Sequence, residues 1–188
     1  MYSSTKIADV IIGRGSIDDA AELASFAARN FENAFSADND PDDLQAHLAG
    51  MYNPARQAEE LADPLVTTIL ARSSGELVAF AQVRRSVAPT CVKQAAPIEL
   101  HRFYVDRPAH GTGLASKLMQ AVHQAAHEFH GLHIWLGVWE KNPRAIAFYM
   151  KENFVDVGST LYTVGTDKQT DRVLVTPVIE SRDAAVDP

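Results

Sequence analysis

The part of the sequence that indicates chemistry is residues 105–116, where a strand end, a short loop with two glycines and a helix start follow one another. The first backbone N–H groups of a helix have no intrahelical partner, and with the positive end of the helix dipole they bind anions. Gly111 and Gly113 allow the backbone to approach such an anion closely. The stretch therefore predicts a phosphate or pyrophosphate site.

Two other phosphate-binding motifs fit this stretch less well. A Walker A loop needs Gly-Lys-Ser/Thr after its spacer, whereas Ser116, Lys117 and Leu118 stand at those places here. Gly111, Gly113 and Ser116 nearly match a dinucleotide-binding fingerprint, but this site follows an antiparallel hairpin late in the chain. Neither alternative is favoured.

Hydrophobic periodicity predicts the elements that position this loop. A helix that joins the strand before the loop to the strand after it favours a right-handed crossover and parallel pairing of the two strands. The predicted strands cover 8–13, 65–72, 77–85, 97–105, 132–138, 154–164 and 172–178, and the predicted helices cover 16–34, 41–51, 55–61, 113–129 and 142–150.

These elements predict an α/β fold of one domain over residues 8–178, with loose termini at 1–7 and 179–188. The sheet is expected to be mixed and mostly antiparallel, with six or seven strands flanked by helices. Alternation along the strand over 97–105 places Glu99, His101, Phe103 and Val105 on one face of the sheet.

Composition and sequence patterns indicate which classes of binding partner the chain can have. The 17 Lys and Arg residues against 24 Asp and Glu residues give a net charge of -7, and an acidic surface repels nucleic acid. No run approaches the roughly 18 apolar residues of a membrane span, so no membrane partner is expected. One cysteine, Cys91, and no secretory leader indicate a cytoplasmic protein. His123 and His127 lie one helical turn apart without a third ligand, so no metal is expected.

The loop carries a resemblance to a known family. His110-x-x-Gly113-x-Ala115 resembles the acyl-CoA pyrophosphate motif of the GNAT acetyltransferases, usually written Q/R-x-x-G-x-G/A. His110 departs from the usual first residue of that motif. Because this position mostly contributes its backbone in the family, the departure leaves the resemblance intact.

A second segment strengthens the resemblance. Asn142-x-x-Ala145-x-x-x-Tyr149-x-x-x-Asn153-Phe154 is similar to the Asn-x-x-Ala-x-x-x-Tyr-x-x-x-Gly-Phe pattern of the same family. Asn153 replaces the usual glycine, and asparagine also tolerates the left-handed conformation at the end of a helix. The two motifs stand at the family's separation, across one helix and one strand, and the resemblance covers residues 8–178.

The resemblance implies acetyl-CoA as co-substrate and a splayed mixed sheet. It implies that Tyr149 protonates or hydrogen-bonds the departing CoA thiolate, that the loop holds the pyrophosphate, and that backbone groups of the strand over 97–105 bind pantetheine. The implied cofactor-binding residues are Phe103, Tyr104, Val105, His110, Gly111, Thr112, Gly113, Leu114, Ala115, Ser116 and Asn142.

A base is also required. A primary amine with a pKa of about 10.4 is protonated at neutral pH and cannot attack a thioester until it loses a proton. Family members often carry a glutamate on this strand, so Glu99 is the first candidate and His101 the second. Some relatives carry the glutamate on the following strand, where this sequence has Gly137.

The acceptor is expected to be a small primary amine. The segment 31–64, with Phe31-x-x-x-Phe35 and Glu59-Glu60-Leu61-x-x-Pro64, is similar to GNAT members that acetylate polyamines and related amines. The alternatives are a protein N-terminus or lysine, an aminoglycoside, and an acyl-CoA-binding sensor without turnover. Members of the family are often dimers, so the resemblance also allows a homodimer.

Overall fold

A computed structural model describes residues 9–36, 40–164 and 167–179 of the chain. The strands are β1 (Val10–Arg14), β2 (Val66–Ser73), β3 (Glu76–Arg84), β4 (Pro97–Val105), β5 (His133–Trp139), β6 (Val155–Val164) and β7 (Asp167–Pro177). The helices are α1 (Ala20–Phe35), α2 (Pro41–Met51), α3 (Pro54–Ala62), α4 (Leu114–Glu128) and α5 (Pro143–Lys151).

Local sequence signals explain where several helices begin and end. The side chains of Asp40, Asn53 and Asn142 each accept hydrogen bonds from backbone N–H groups in the first turn, and a proline follows each of them. Asn153, with φ 65°, adopts the left-handed conformation just after α5, as predicted from its place in the motif.

The seven strands form one sheet in the order β1-β2-β3-β4-β5-β7-β6. The pair β4 and β5 is parallel, as the crossover helix predicted, and the other pairs are antiparallel. The parallel pairing covers only residues 97–99 against 133–135, so the two strands separate beyond Glu99 and Trp135. The sheet therefore opens a cleft at its middle.

Helices cover both faces of this sheet. The larger core lies between the sheet and α4, with Leu118, Val122 and Leu136 almost completely buried, and α5 packs against the same core. The second core lies on the opposite face and contains Leu23 of α1 and Phe80 of β3. The predicted single α/β domain with a mixed, mostly antiparallel sheet flanked by helices is confirmed.

Strand β4 contains a β-bulge. Gln82 of β3 pairs with Arg102, and the next residue, Val83, pairs with Leu100, so that His101 has no partner on β3. A bulge of this kind inserts one extra residue into a strand and reverses the side-chain alternation beyond it.

The bulge corrects one prediction. Phe103 and Val105 pack against the core under α4, whereas Arg102 contacts α3 on the opposite face. Because His101 is the extra residue of the bulge, Glu99 lies on the same face of the sheet as Arg102. The prediction that Glu99, His101, Phe103 and Val105 share one face is therefore wrong, because period-two alternation does not pass through a bulge.

The last strand, β7, begins earlier in the sequence than predicted. Strand β7 begins at Asp167 rather than at residue 172, and residues 167–170 pair with β6 but not with β5.

The predicted loose termini, 1–7 and 179–188, lie outside the described residues except for Ile179, whose backbone N–H donates to His123 Nδ1. Among the described residues, no helix is both long and apolar enough to span a membrane.

Candidate active site

The cleft between β4 and β5 ends at the loop that sequence analysis predicted to bind an anion. The loop follows β4 directly and leads into α4, whose first residue is Leu114. Gly111 (φ 76°) and Gly113 (φ 85°) both adopt left-handed backbone conformations, which favour glycine. The loop and the first N–H groups of α4 thus fit the pyrophosphate of an acyl-CoA substrate.

Side chains within the loop fix its shape. The Thr112 hydroxyl donates to the carbonyl oxygen of Ala109 over 2.7 Å and accepts from the N–H of Leu114 over 3.4 Å. The Ser116 hydroxyl donates to Glu152, just beyond α5, over 2.6 Å. The start of α4 is therefore tied to the end of α5.

His110 contributes its side chain to this loop as well as its backbone. Its Nδ1 lies 2.7 Å from the guanidinium of Arg144, and its Nε2 lies 2.8 Å from the carbonyl oxygen of Val105. Because a guanidinium only donates hydrogen bonds, Nδ1 accepts and Nε2–H donates, so this imidazole is neutral. Burial lowers the pKa of His110, in agreement with that state. Sequence analysis assigned His110 only a backbone role and missed this link to α5.

Tyr149 lies in α5 next to the cleft. Its ring contacts those of Phe103, Phe148 and Phe154, with centroid separations of 6.2, 5.3 and 5.5 Å, and the residue is only 8% exposed. Burial raises the pKa of Tyr149 well above its ordinary value, so its hydroxyl is protonated at neutral pH and can donate a hydrogen bond. The neighbouring Asn142 uses its side-chain oxygen to cap α5, accepting from the N–H of Ala145.

Glu99, the first candidate base, is held in an ion pair. Its two carboxylate oxygens accept hydrogen bonds from Arg84 over 2.6 and 3.1 Å, and His101 Nδ1 lies 3.3 Å from the same carboxylate. Although burial opposes it, hydrogen bonds from His101 and Arg84 lower the pKa of Glu99 to about 2. A carboxylate with so low a pKa is a weak proton acceptor.

The second candidate, His101, occupies the bulge. Burial lowers its pKa, and the positive charges of Arg102 and Arg84 lower it further against the opposing hydrogen bond to Glu99. Its Nε2 is buried and has no hydrogen-bond partner among the described residues. The cavity beside His101, of about 200 Å³, is lined in part by Arg56, Arg84 and Arg85. The carboxylates of Glu60 and Asp63 line the same cavity. His101 is therefore a neutral imidazole among charges of both signs, with its Nδ1 beside Glu99.

A buried ionic network lies next to these residues and was not predicted. Arg102 forms an ion pair with Glu60 of α3, and its guanidinium also donates to Gln82 over 2.5 Å. The same guanidinium lies 5.2 Å from the ring centroid of Tyr52, whose hydroxyl is 3.4 Å from that of Tyr104. The network joins α3 to the middle of the sheet.

Aromatic rings extend this region toward β6. His47 of α2 stacks on Phe31 at 4.8 Å and meets the rings of Tyr52 and Tyr162 edge-on. Burial and the nearby Tyr52 raise the pKa of Tyr162 to about 12. The rings form an aromatic cluster between α2 and β6, on the face of the sheet opposite α4.

The β5 side of the cleft also carries an acidic group. A Cβ built on Gly137 of β5 would lie only 3.2 Å from Asp171 Oδ2 of β7, so the Asp171 carboxylate fills the space above this glycine. Burial, together with the nearby carboxylate of Glu140, raises the pKa of Asp171 to about 6. Sequence analysis did not single out Asp171.

Comparison with known proteins gives the family. The sequence profile described as the Acetyltransferase (GNAT) family matches residues 25–154, which include both motifs and the strands β4 and β5 on either side of the cleft. The chain belongs to the GNAT acetyltransferase family. This confirms the resemblance found in the sequence.

Relatives within the GNAT family agree in sequence and in fold. An uncharacterized N-acetyltransferase of Mycobacterium tuberculosis is 34% identical over 161 residues, which cover 86% of this chain and 99% of the relative. The structure of the PaiA N-acetyltransferase from Thermoplasma acidophilum, in complex with coenzyme A, superposes with a TM-score of 0.70 at 16% identity and covers 90% of this chain and 99% of that one. Ard1 from Thermoplasma volcanium superposes with a TM-score of 0.61 at 20% identity, with 91% and 99% coverage.

Proposed function

We propose that this GNAT acetyltransferase transfers the acetyl group of acetyl-CoA to a primary amine of a small cationic molecule, such as a polyamine, by direct attack within a ternary complex. The observation that carries the proposal is the cleft between β4 and β5, which has a glycine loop and the start of α4 at one end and Tyr149 beside it. No residue of the chain needs to carry the acetyl group in this reaction.

The chain offers groups for each part of acetyl-CoA. Residues 110–116 would hold the pyrophosphate through backbone N–H groups, since the left-handed Gly111 and Gly113 leave the loop backbone accessible. The backbone of residues 103–105 lies beyond the point where β5 leaves β4, so its polar groups there are not used in pairing with β5. These groups would bind pantetheine, and Asn142 would contact the cofactor arm.

Tyr149 would stabilise the leaving thiolate. Attack on the thioester expels CoA as a thiolate, which needs a proton or a hydrogen bond as charge develops on sulfur. The raised pKa of Tyr149 keeps its hydroxyl protonated, so donation of a hydrogen bond is favoured over complete proton transfer. Phe103 and Phe154 hold the ring in place for this role.

The acceptor would bind on the face of the sheet that carries α2, α3 and the aromatic cluster. Aromatic faces and carboxylates both attract cations, and this face presents His47, Tyr52 and Tyr162 together with Asp171. The net charge of -7 also favours the binding of a cationic substrate. On the β4 side lie Glu99 and His101, which the sequence suggested as bases, and the Glu99 carboxylate lies 3.3 Å from the Nδ1 of the imidazole.

The proposal is tested by measuring release of the CoA thiol with a panel of spermidine, spermine, lysine, peptides with free N-termini, and aminoglycosides. The expected result is turnover with the highest kcat/KM on a polyamine or a related small amine. A preference for peptides or aminoglycosides would contradict the small-amine assignment. Tight binding of acetyl-CoA with no turnover on any amine would contradict acetyl transfer and support a sensor.

A further inference from the structure

We propose that Asp171 is the general base that removes the proton from the acceptor amine. The inference rests on the acetyl transfer proposed above and assigns a residue of β7, rather than one of β4, to this step. It goes beyond the two bases that the sequence suggested.

The position of Asp171 follows from strand register. Asp171 pairs with Trp139 of β5, and its side chain leans two residues back along β5 to lie over Gly137. A β5 residue with a side chain at 137 would occupy the same space. The carboxylate over this point of β5 therefore comes from β7, and Gly137 leaves room for it.

Asp171 lies on the face of the sheet where the acceptor is proposed to bind. Ile134, Leu136 and Val138 of β5 pack into the core under α4, so the alternate residues, including Gly137, face the other side. Gly137 is the next residue on that face after Trp135, whose pairing with Glu99 is the last between β4 and β5. The Asp171 carboxylate thus stands where the cleft opens.

The surroundings of Asp171 leave its carboxylate available. It makes no hydrogen bond or ion pair with any described residue, in contrast to Glu99, which is held by Arg84. The titratable groups that act on it are Glu140, in the turn after β5, and Tyr162 of β6, and neither of them is a cation. An incoming ammonium group is therefore attracted to this wall.

The pKa values support the same assignment. The pKa of Asp171 is raised to about 6, and that of Glu99 is lowered to about 2. A carboxylate with a raised pKa takes up a proton more readily than one with a lowered pKa, so Asp171 is the better proton acceptor of the two. His101 is disfavoured because burial, reinforced by the charges of Arg102 and Arg84, lowers its pKa, and the hydrogen bond to Glu99 offsets this only in part.

The proposed step moves a proton from the acceptor nitrogen to Asp171 and replaces a C–S bond by a C–N bond. The Asp171 carboxylate takes one proton from the ammonium group, and the free amine attacks the thioester carbonyl carbon of acetyl-CoA. The new C–N bond forms, the C–S bond breaks, and the thiolate accepts a hydrogen bond or proton from Tyr149. The nitrogen loses its second proton as the amide forms. Of the two protons it gives up, one ends on the CoA thiol, by way of Tyr149 or solvent, and the other passes to solvent, so Asp171 and Tyr149 return to their starting states and one proton is released per amide formed.

The test compares Asp171→Asn with Glu99→Gln and His101→Asn in the full-length chain, using the best amine from the panel. Asp171→Asn is expected to lower kcat/KM for the amine by about 10²-fold or more, while the dissociation constant for acetyl-CoA changes by less than about threefold. Glu99→Gln and His101→Asn are expected to have smaller effects. The loss in Asp171→Asn should shrink with trifluoroethylamine, an amine that is largely unprotonated at neutral pH.

The pH profile gives a second readout, which a purely structural role would not produce. Because the base must be deprotonated, kcat/KM of the wild-type chain should rise with pH through an apparent pKa of about 6, as expected for Asp171. Glu140→Gln removes a neighbouring negative charge and should move this limb to lower pH. Asp171→Asn should abolish the limb.

The outcomes separate this inference from the proposed function. The inference is overturned, with acetyl transfer intact, if kcat/KM of Asp171→Asn stays within about threefold of the wild-type value. It is also overturned if a large loss is confined to Glu99→Gln or His101→Asn. Binding of acetyl-CoA without wild-type turnover on any amine would overturn the proposed function itself.

Discussion

Replacing Tyr149 with Phe is expected to lower kcat by about 10²-fold, because the thiolate loses its hydrogen-bond or proton donor. The ring is retained, so the contacts with Phe103, Phe148 and Phe154 persist. The free energy of unfolding should therefore change by less than about 1 kcal/mol. Steady-state kinetics at saturating acetyl-CoA, together with urea unfolding, measure the two quantities.

Tyr52→Phe is a matched control, since it removes the hydroxyl of another buried tyrosine. Tyr52 lies in the aromatic cluster and contacts Tyr104 and Arg102 rather than the rings around Tyr149. Its loss is expected to alter KM for the amine while kcat stays within about threefold of the wild-type value. Equal losses of kcat in both variants, or none in Tyr149→Phe, would show that Tyr149 has no special role.

The largest effect on stability is expected from Arg102→Met. The Arg102 side chain is only 4% exposed and pairs with Glu60, whose side chain is 10% exposed. Removing Arg102 leaves the buried Glu60 carboxylate with only the solvent-exposed Arg56 as a cationic partner and takes a donor from Gln82, so the free energy of unfolding should fall by about 3 kcal/mol. Denaturant unfolding at constant pH measures this loss.

Arg56→Met is the control for the Arg102 variant, because Arg56 pairs with the same carboxylate of Glu60 over 3.1 Å but is 44% exposed. Its loss should cost less than about 1 kcal/mol. The double variant Glu60→Leu with Arg102→Met should be more stable than Arg102→Met alone, because it leaves no unpaired charge. A double variant less stable than either single one would show that the network stabilises the chain in another way.

Local signals were sufficient for most of the fold. The Asp-Pro and Asn-Pro pairs marked the starts of α2 and α5, and hydrophobic periodicity located the strands and the crossover helix. Residues 167–170 were missed because that end of β7 pairs only with β6, beyond the edge of β5, and its polar residues show no alternation. Period-two signals arise only where one face of a strand is buried.

The site was predictable where it depends on a continuous segment. The loop, Asn142 and Tyr149 follow from two motifs, and the motifs led to the correct family. The acceptor side was not predictable in this way. The bulge at His101 depends on register with β3, and Asp171 reaches Gly137 only because β7 inserts between β5 and β6.

The ion pair between Arg84 and Glu99 shows the same limit. The two residues are opposite each other in the β3–β4 register, which a shift at the bulge determines. A sequence shows that a strand carries a glutamate, but the pKa of that glutamate depends on its partner across the sheet. Sequence reasoning therefore found Glu99 on the strand over 97–105 but could not foresee its ion pair.

The central claim is that the cleft between β4 and β5 passes an acetyl group directly from acetyl-CoA to an amine. Mass spectrometry of the chain mixed with acetyl-CoA and spermidine, sampled during the first turnovers, tests this most directly. The predicted result is spermidine carrying one acetyl group while the chain keeps its unmodified mass. The claim is contradicted if the chain itself becomes acetylated. It is also contradicted if acetyl-CoA binds but no amine of the panel is acetylated.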